Sequence, residues 1–201
     1  YSIDLLGFGK SDQPGLGQIS SLDNGVWCDQ VSDFIKEVIR PLNSKKIVLI
    51  GNSLGSLVAL TCAVSIPEEI FAVIASPLPD QMNLRKRHLS FNPFTRKIKI
   101  NLIKIFFILL PIELILYLVV KLGLISIGLL SAYHKSNKVD RELINIVKKP
   151  VIRNTAARSL RVMCIGMSTR NDKLKAPYLL DTLCRVEKIP LLLIWGERDN
   201  F

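Results

Sequence analysis

Over the first 80 residues, short aliphatic runs alternate with segments of helical period. Ile47–Ile50 and Phe71–Ala75 are uniformly apolar and of strand length, the kind of run that is buried on both faces of a parallel sheet. Ahead of them, Trp27, Val31, Phe34, Ile35 and Val38 recur at helical spacing, with Asp23 or Asn24 available as a cap and Pro41 and Asn43 closing the segment. Leu54–Ser65 reads as a second helix, stopped before Pro67, and Tyr1–Leu6 as the end of a further strand that leads into a Gly7–Asp12 turn. Strand, helix, strand, helix, strand at this spacing predicts a parallel sheet with right-handed crossovers.

After Asp80 the pattern breaks. Met82–Arg96 is basic and mixed, Ile98–Tyr133 is strongly apolar, and Val139–Ile152 and Thr155–Met167 read as amphipathic helices. The α/β alternation returns with a helix around Pro177–Val186, where Pro177 suits the first turn, and a strand at Pro190–Trp195. The expected organisation is therefore core at 1–80, a helical cap inserted at 81–170, and core again at 171–201.

Charge sharpens this division. The 201-residue chain carries 27 Lys/Arg against 17 Asp/Glu, a net charge of +10. Residues 81–175 hold 19 basic against 4 acidic side chains, a surplus of 15, whereas the remainder holds 8 against 13. A hydrophobic content of 49% excludes wholesale disorder. The longest charge-free stretch within Ile98–Tyr133 is Leu122–Tyr133, 12 residues, short of the roughly 20 that a spanning helix needs. An oily cap flanked by cations, able to touch an anionic membrane surface or a lipophilic substrate, is the expectation; the basic charge itself reads first as a solvated face and next as a membrane-surface role. No nucleic-acid module or aromatic stacking platform is present, so nucleic acid is not an expected partner. Cys28, Cys62, Cys164 and Cys184 are scattered and form no CxxC pair, which points to a reducing compartment, the cytoplasm, and to no metal site. Both ends of the chain are expected to be cuts through a longer protein.

The sharpest chemical signal is Gly51-Asn52-Ser53-Leu54-Gly55, a G-x-S-x-G sequence between a buried strand and a helix. That context suits a nucleophile elbow, in which Ser53 projects from a strained turn above the sheet. The Leu54 N–H, at the helix start, can donate to an oxyanion. A second strand delivers the acidic loop Gly196-Glu197-Arg198-Asp199, and Asp199 could hold a histidine in the right tautomer. Asp80, after Phe71–Ala75, is the competitor for that role, with a turn or helix-cap function as its other reading. The only histidines, His88 and His134, lie in the basic insertion. Chain order in such triads places the base after the acid, so it is expected beyond Phe201, and the chain as written is expected to be inactive. Gly9-Lys10-Ser11 resembles the end of a phosphate loop, but Asp4 stands where that loop needs a glycine, and Gly7 and Gly9 read as turn glycines.

Three segments in order carry a resemblance. Asp4-Leu5-Leu6-Gly7-Phe8-Gly9-Lys10-Ser11 is similar to the D-x-x-G-x-G-x-S turn after an early strand of the α/β-hydrolase superfamily, Gly51–Gly55 to its elbow, and Ile194–Asp199 to its strand and acid loop. The resemblance implies an α/β fold with a doubly wound, mostly parallel sheet and an inserted helical cap, incomplete at both ends. It also implies Ser53 as nucleophile, Asp199 as acid, Leu54 as one oxyanion donor, and no cofactor. The Gly-Asn-Ser-Leu-Gly elbow and the Ser76–Asp80 segment are similar to hydrolases of cyanobacteria and plastids, including the pheophytinase group, although Ser56 replaces the second glycine usual there. Dehalogenases and most epoxide hydrolases of this fold use an aspartate nucleophile, which Ser53 argues against. The expected function is hydrolysis of a lipophilic carboxylic ester through an acyl-enzyme. The alternative is a catalytically silent relative that binds lipid or membrane through its basic cap.

Overall fold

The computed structural model describes residues 1–42, 45–80, 93–132 and 141–196. In chain order its elements are α1 (Asn24–Phe34, continued by a π-helical turn at Ile35–Ile39), β1 (Ile47–Asn52), α2 (Leu54–Ser65) and β2 (Ile70–Ser76). Then come α3 (Pro93–Leu109), α4 (Ile112–Lys121), α5 (Leu124–Ala132), α6 (Arg141–Val151) and α7 (Ala156–Thr169). A 3₁₀ turn at Asp172–Leu174, α8 (Ala176–Thr182, continued by a π-helical turn at Leu183–Glu187) and β3 (Leu191–Leu193) complete the series. Two compact units result: Tyr1–Leu22 with Lys99–Ser168, and Asp23–Ile98 with Thr169–Phe201.

The second unit holds the sheet. Its strands run parallel in the order β1-β2-β3, with Ile50 opposite Ile74, Asn52 opposite Ser76 and Ala75 opposite Leu193. Asp23 caps α1 by accepting the Gly25 N–H at 2.9 Å. Asn24 takes a different role: fully buried, its amide donates to Thr61 Oγ1 at 2.7 Å and to the Leu174 carbonyl at 2.8 Å, tying α1 to α2 and to the 3₁₀ turn. Trp27, Ile35, Leu57, Leu60, Ile70, Val73, Leu179 and Leu183 are all buried, each apolar side chain contributing about 1.5–3 kcal/mol. Cys28 of α1 and Cys62 of α2, both buried, share a hydrogen bond. That bond lowers the Cys28 thiol and, together with burial, pushes the Cys62 thiol far up. Scattered in sequence, these two cysteines meet in space, and both are free thiols.

The strands depart from the expectation that both faces are buried. Exposure alternates along β1, and Val48, Ile50 (76% exposed), Phe71 and Leu192 lie open to solvent. Helix α2 covers the other face, where Val73 and Ala75 are buried. A uniformly aliphatic run shows that a strand tolerates burial on both sides, not that this chain supplies both covers.

The first unit is helical, and Tyr1–Leu22, expected to begin the core, groups with it. Tyr1–Leu6 forms no strand. The loop folds on itself instead: Gly7 N–H donates to the Asp12 carbonyl at 2.7 Å, Phe8 N–H to that of Leu5 at 2.8 Å, and Lys10 N–H to the Asp4 carboxylate at 2.8 Å. Gly9 needs its glycine, since its φ is +50° and a Cβ would strike the Asp4 carboxylate. The buried Gln13 then anchors the loop, donating to the Pro150 carbonyl at 3.0 Å and accepting from Thr155 Oγ1 at 2.5 Å. Gly166 of α7 lies so close to Leu22 that a Cβ there would collide with the Leu22 backbone.

Candidate active site

Strand β1 ends at Asn52, α2 begins at Leu54, and the single residue between them must reverse the chain. Ser53 does so at φ 50°, ψ −115°, one of two non-glycine residues with positive φ among those described. A β-carbon residue held there costs about 1–3 kcal/mol, a strain that recurs at functional sites. The Ser53 side chain is exposed, and its N–H donates to the Ser76 carbonyl at 2.6 Å, which fixes the turn against the end of β2. Strand and helix cross tightly: a Cβ on Gly51 would collide with the Gly55 carbonyl and the Ser56 nitrogen. Leu54 is the first residue of α2, so its N–H is among the four that a helix leaves without an internal acceptor.

Ser56, noted above as a departure from the related glycine, has a physical role. Fully buried, its hydroxyl lies 2.8 Å from the carbonyls of both Gly51 and Ser76 and accepts the Ser76 N–H at 2.9 Å. One oxygen thus joins the end of β1, the first turn of α2 and the end of β2. Nothing in the linear pattern signals this, because Ser76 is 20 residues away.

The three strands are parallel, so the segments after β1, β2 and β3 leave from the same, carboxyl-terminal end of the strands. Ser53 follows β1 and Asp80 follows β2. Asp80 is mostly buried, with one carboxylate oxygen paired to Arg170 and the other accepting the Ala176 N–H at 2.8 Å. One oxygen thus serves the start of α8, as the helix-cap reading of that residue has it, and the other is held by Arg170, just after α7. After β3 the chain continues through Ile194, whose N–H donates to the Ala75 carbonyl at 2.9 Å, to Trp195 and Gly196. Asp199, His88 and His134 lie outside the described residues. A cavity of about 360 Å³ opens at the opposite ends of the strands, lined by Lys46, Glu68, Phe71, Lys188 and Pro190, and is therefore remote from Ser53. The phosphate-loop resemblance of Gly9-Lys10-Ser11 ends in the same way: the Lys10 N–H is occupied by the Asp4 carboxylate, an anion of the chain's own.

A parallel sheet and a strand-to-helix turn that carries a strained serine fit the α/β-hydrolase fold. The family model described as serine aminopeptidase, S33 (Hydrolase_4) matches residues 1–201, and the chain belongs to that family. No curated protein matches. Among solved structures, the chain is similar to the haloalkane dehalogenase DbeA from Bradyrhizobium elkani USDA94, at 15% identity and a TM-score of 0.59, covering 96% of this chain and 62% of that one. A putative acyltransferase from Salmonella enterica is similar at 15% identity and a TM-score of 0.58, with 98% and 64% covered. A thermophilic esterase from Thermogutta terrifontis is similar at 13% identity and a TM-score of 0.52, with 96% and 69% covered. These likenesses show the fold alone, and the chain spans about 62% of the length of the dehalogenase.

Proposed function

We propose that the protein is a serine hydrolase that cleaves a lipophilic carboxylic ester through an acyl-enzyme on Ser53. The observation that carries this reading is the exposed Ser53 at φ 50° between β1 and α2, with the N-terminus of α2 behind it. In this mechanism Ser53 Oγ attacks the acyl carbon, and the oxyanion that forms accepts the Leu54 N–H, which the α2 dipole reinforces. An imidazole oriented by Asp199 takes the hydroxyl proton and returns it to the leaving alcohol; water then releases the acyl group by the same steps in reverse. Asp80 is not assigned to the triad, since Arg170 and the Ala176 N–H occupy its carboxylate. Haloalkane dehalogenation is not the reading either, because the elbow carries serine rather than aspartate. The oily character of Ile98–Tyr133 favours a lipophilic acyl or alcohol group.

Fluorophosphonate labelling of the whole protein, with the adduct mapped by mass spectrometry, tests this. The expected result is a single adduct on Ser53, abolished in Ser53→Ala. The same substitution should lower hydrolysis by about 10⁴-fold or more. A panel that sets acyl esters of increasing chain length beside aminoacyl anilides distinguishes ester from aminopeptidase chemistry. A folded protein that takes no label would overturn the hydrolase reading.

A further inference from the structure

Helix α3, with Leu110 just after it, carries apolar residues on two stripes. One, Ile100, Ile103, Phe107 and Leu110, is partly covered by the protein; the other, Ile98, Leu102, Ile105, Phe106 and Leu109, is exposed, with Leu102 at 61% and Leu109 at 76%. Helix α4 repeats this, burying Ile112 and exposing Leu114, Ile115, Tyr117 and Leu118. Thirteen large apolar side chains between Ile98 and Ile127 face solvent, far more than the scattered few that a water-facing helix leaves open. Charge is placed around this surface rather than on it. At 3.6 residues per turn, Lys97 and Lys104 flank the exposed Ile108 at one margin of this surface of α3, and Lys99 lies beside Phe106 at the other. Lys121 closes α4, its Nζ 5.4 Å from the Tyr117 ring. From Pro93 to Lys121 there are five basic residues and one acidic, and the acidic one, Glu113, is paired with Arg161.

Arg161 also holds the corner between the helices. Its guanidinium donates to both Glu113 oxygens at 2.9 Å, to the Leu110 carbonyl at 3.1 Å and, through Nε, to the Phe107 carbonyl at 3.0 Å. The last carbonyls of α3 and the first turn of α4 are thereby clamped to α7. Helices Phe94–Leu109 and Ile112–Lys121 meet at 51°, and no single helix among the described residues is long and apolar enough to cross a membrane. The two helices together have the length and apolar composition of a span, but a corner clamped at that angle keeps them from forming a straight one.

We propose that α3 and α4 form a docking face that lies in the headgroup–acyl boundary of an anionic bilayer, its exposed apolar stripes inward and Lys97, Lys104 and Lys121 at the headgroups. The surface serves the protein whether or not Ser53 is active, so this inference does not rest on the hydrolase reading.

Flotation of the whole protein with vesicles of phosphatidylcholine, with and without phosphatidylglycerol, tests it. The protein should float with the anionic vesicles, less with the neutral ones, and less again as salt is raised. Leu102→Glu with Phe106→Glu should cut partitioning more than tenfold at an unchanged melting temperature. Lys97→Gln and Lys104→Gln, too mild to disturb folding, should each cost about fivefold on anionic vesicles only. Ser53→Ala should float like the parent, which separates failure here from failure of the catalytic reading. Three outcomes would overturn the proposal. One is flotation of the double glutamate variant equal to that of the parent; another is salt-independent binding that is equal on both vesicle types, the mark of a span. The third is a parent that ignores vesicles but sediments as a dimer, which the double variant dissociates.

Discussion

Helices α2 and α4 are both strongly apolar and end in opposite environments. In α2, Leu57, Leu60, Cys62 and Ala63 are wholly buried. In α4, Ile112 is buried while Leu114, Ile115, Tyr117 and Leu118 face solvent. Their polar groups differ in kind as well. Around α2 they are internal crosslinks: Ser56 joins β1 to β2, and Thr61 receives the Asn24 amide while donating to the Leu57 carbonyl at 2.7 Å. Around α4 they sit at the rim, as Lys121 and the Glu113–Arg161 pair. Apolar composition therefore does not by itself mark a core helix. What marks one is polar groups that point inward and find partners there.

Matched substitutions put this contrast to the sharpest test. Leu60→Ala should cost about 3 kcal/mol, by lost transfer energy and the cavity left behind. Leu102→Ala, equally apolar but exposed, should stay within about 0.5 kcal/mol. Urea denaturation of both variants measures the gap, and equal losses would mean that the α3 face is covered in the whole protein.

A smaller effect is expected at the elbow. Ser56→Ala leaves the part-buried Ser76 N–H without its side-chain acceptor, a loss of about 1 kcal/mol or a little more, read by the same denaturation. Activity on a soluble ester should fall with it, since Ser53 N–H bonds to the carbonyl of that same Ser76. Unchanged activity would separate the crosslink from the nucleophile's placement.

At the rim, Arg161→Ala removes the clamp on α3 and α4 and should cost about 1.5 kcal/mol. Vesicle binding should weaken too, because the corner loses its fixed angle. The smallest effect is a pH dependence. The Arg161 guanidinium holds the Glu113 carboxyl below its ordinary value. With the folded value depressed, the stabilisation is present above the unfolded carboxylate range and is lost as pH falls through the folded value. The difference in denaturation midpoint between the parent and Glu113→Gln should thus be visible at pH 7 and vanish towards pH 3. A difference that persists at low pH would show that Glu113 acts by packing rather than by charge.

Much is legible in the sequence itself. The runs Ile47–Ile50 and Phe71–Ala75, the helix Leu54–Ser65 and the first-turn Pro177 all appear where the pattern put them, because periodicity and steric punctuation are local properties. Gly51 and Ser53 were legible for the same reason: a tight strand-to-helix crossing restricts residue type at fixed offsets. Tyr1–Leu6 misled, since a strand needs a ladder partner and the loop bonded to itself instead. The tertiary structure alone decided that Ser56 crosslinks two strand ends, that Cys28 meets Cys62, and that Asp80 is spent on Arg170 and α8. It alone decided, too, that α2 is covered while the outer stripes of α3 and α4 are bare. An apolar side chain records only that it avoids water. Which surface shields it depends on groups distant in the chain, and that information is not local.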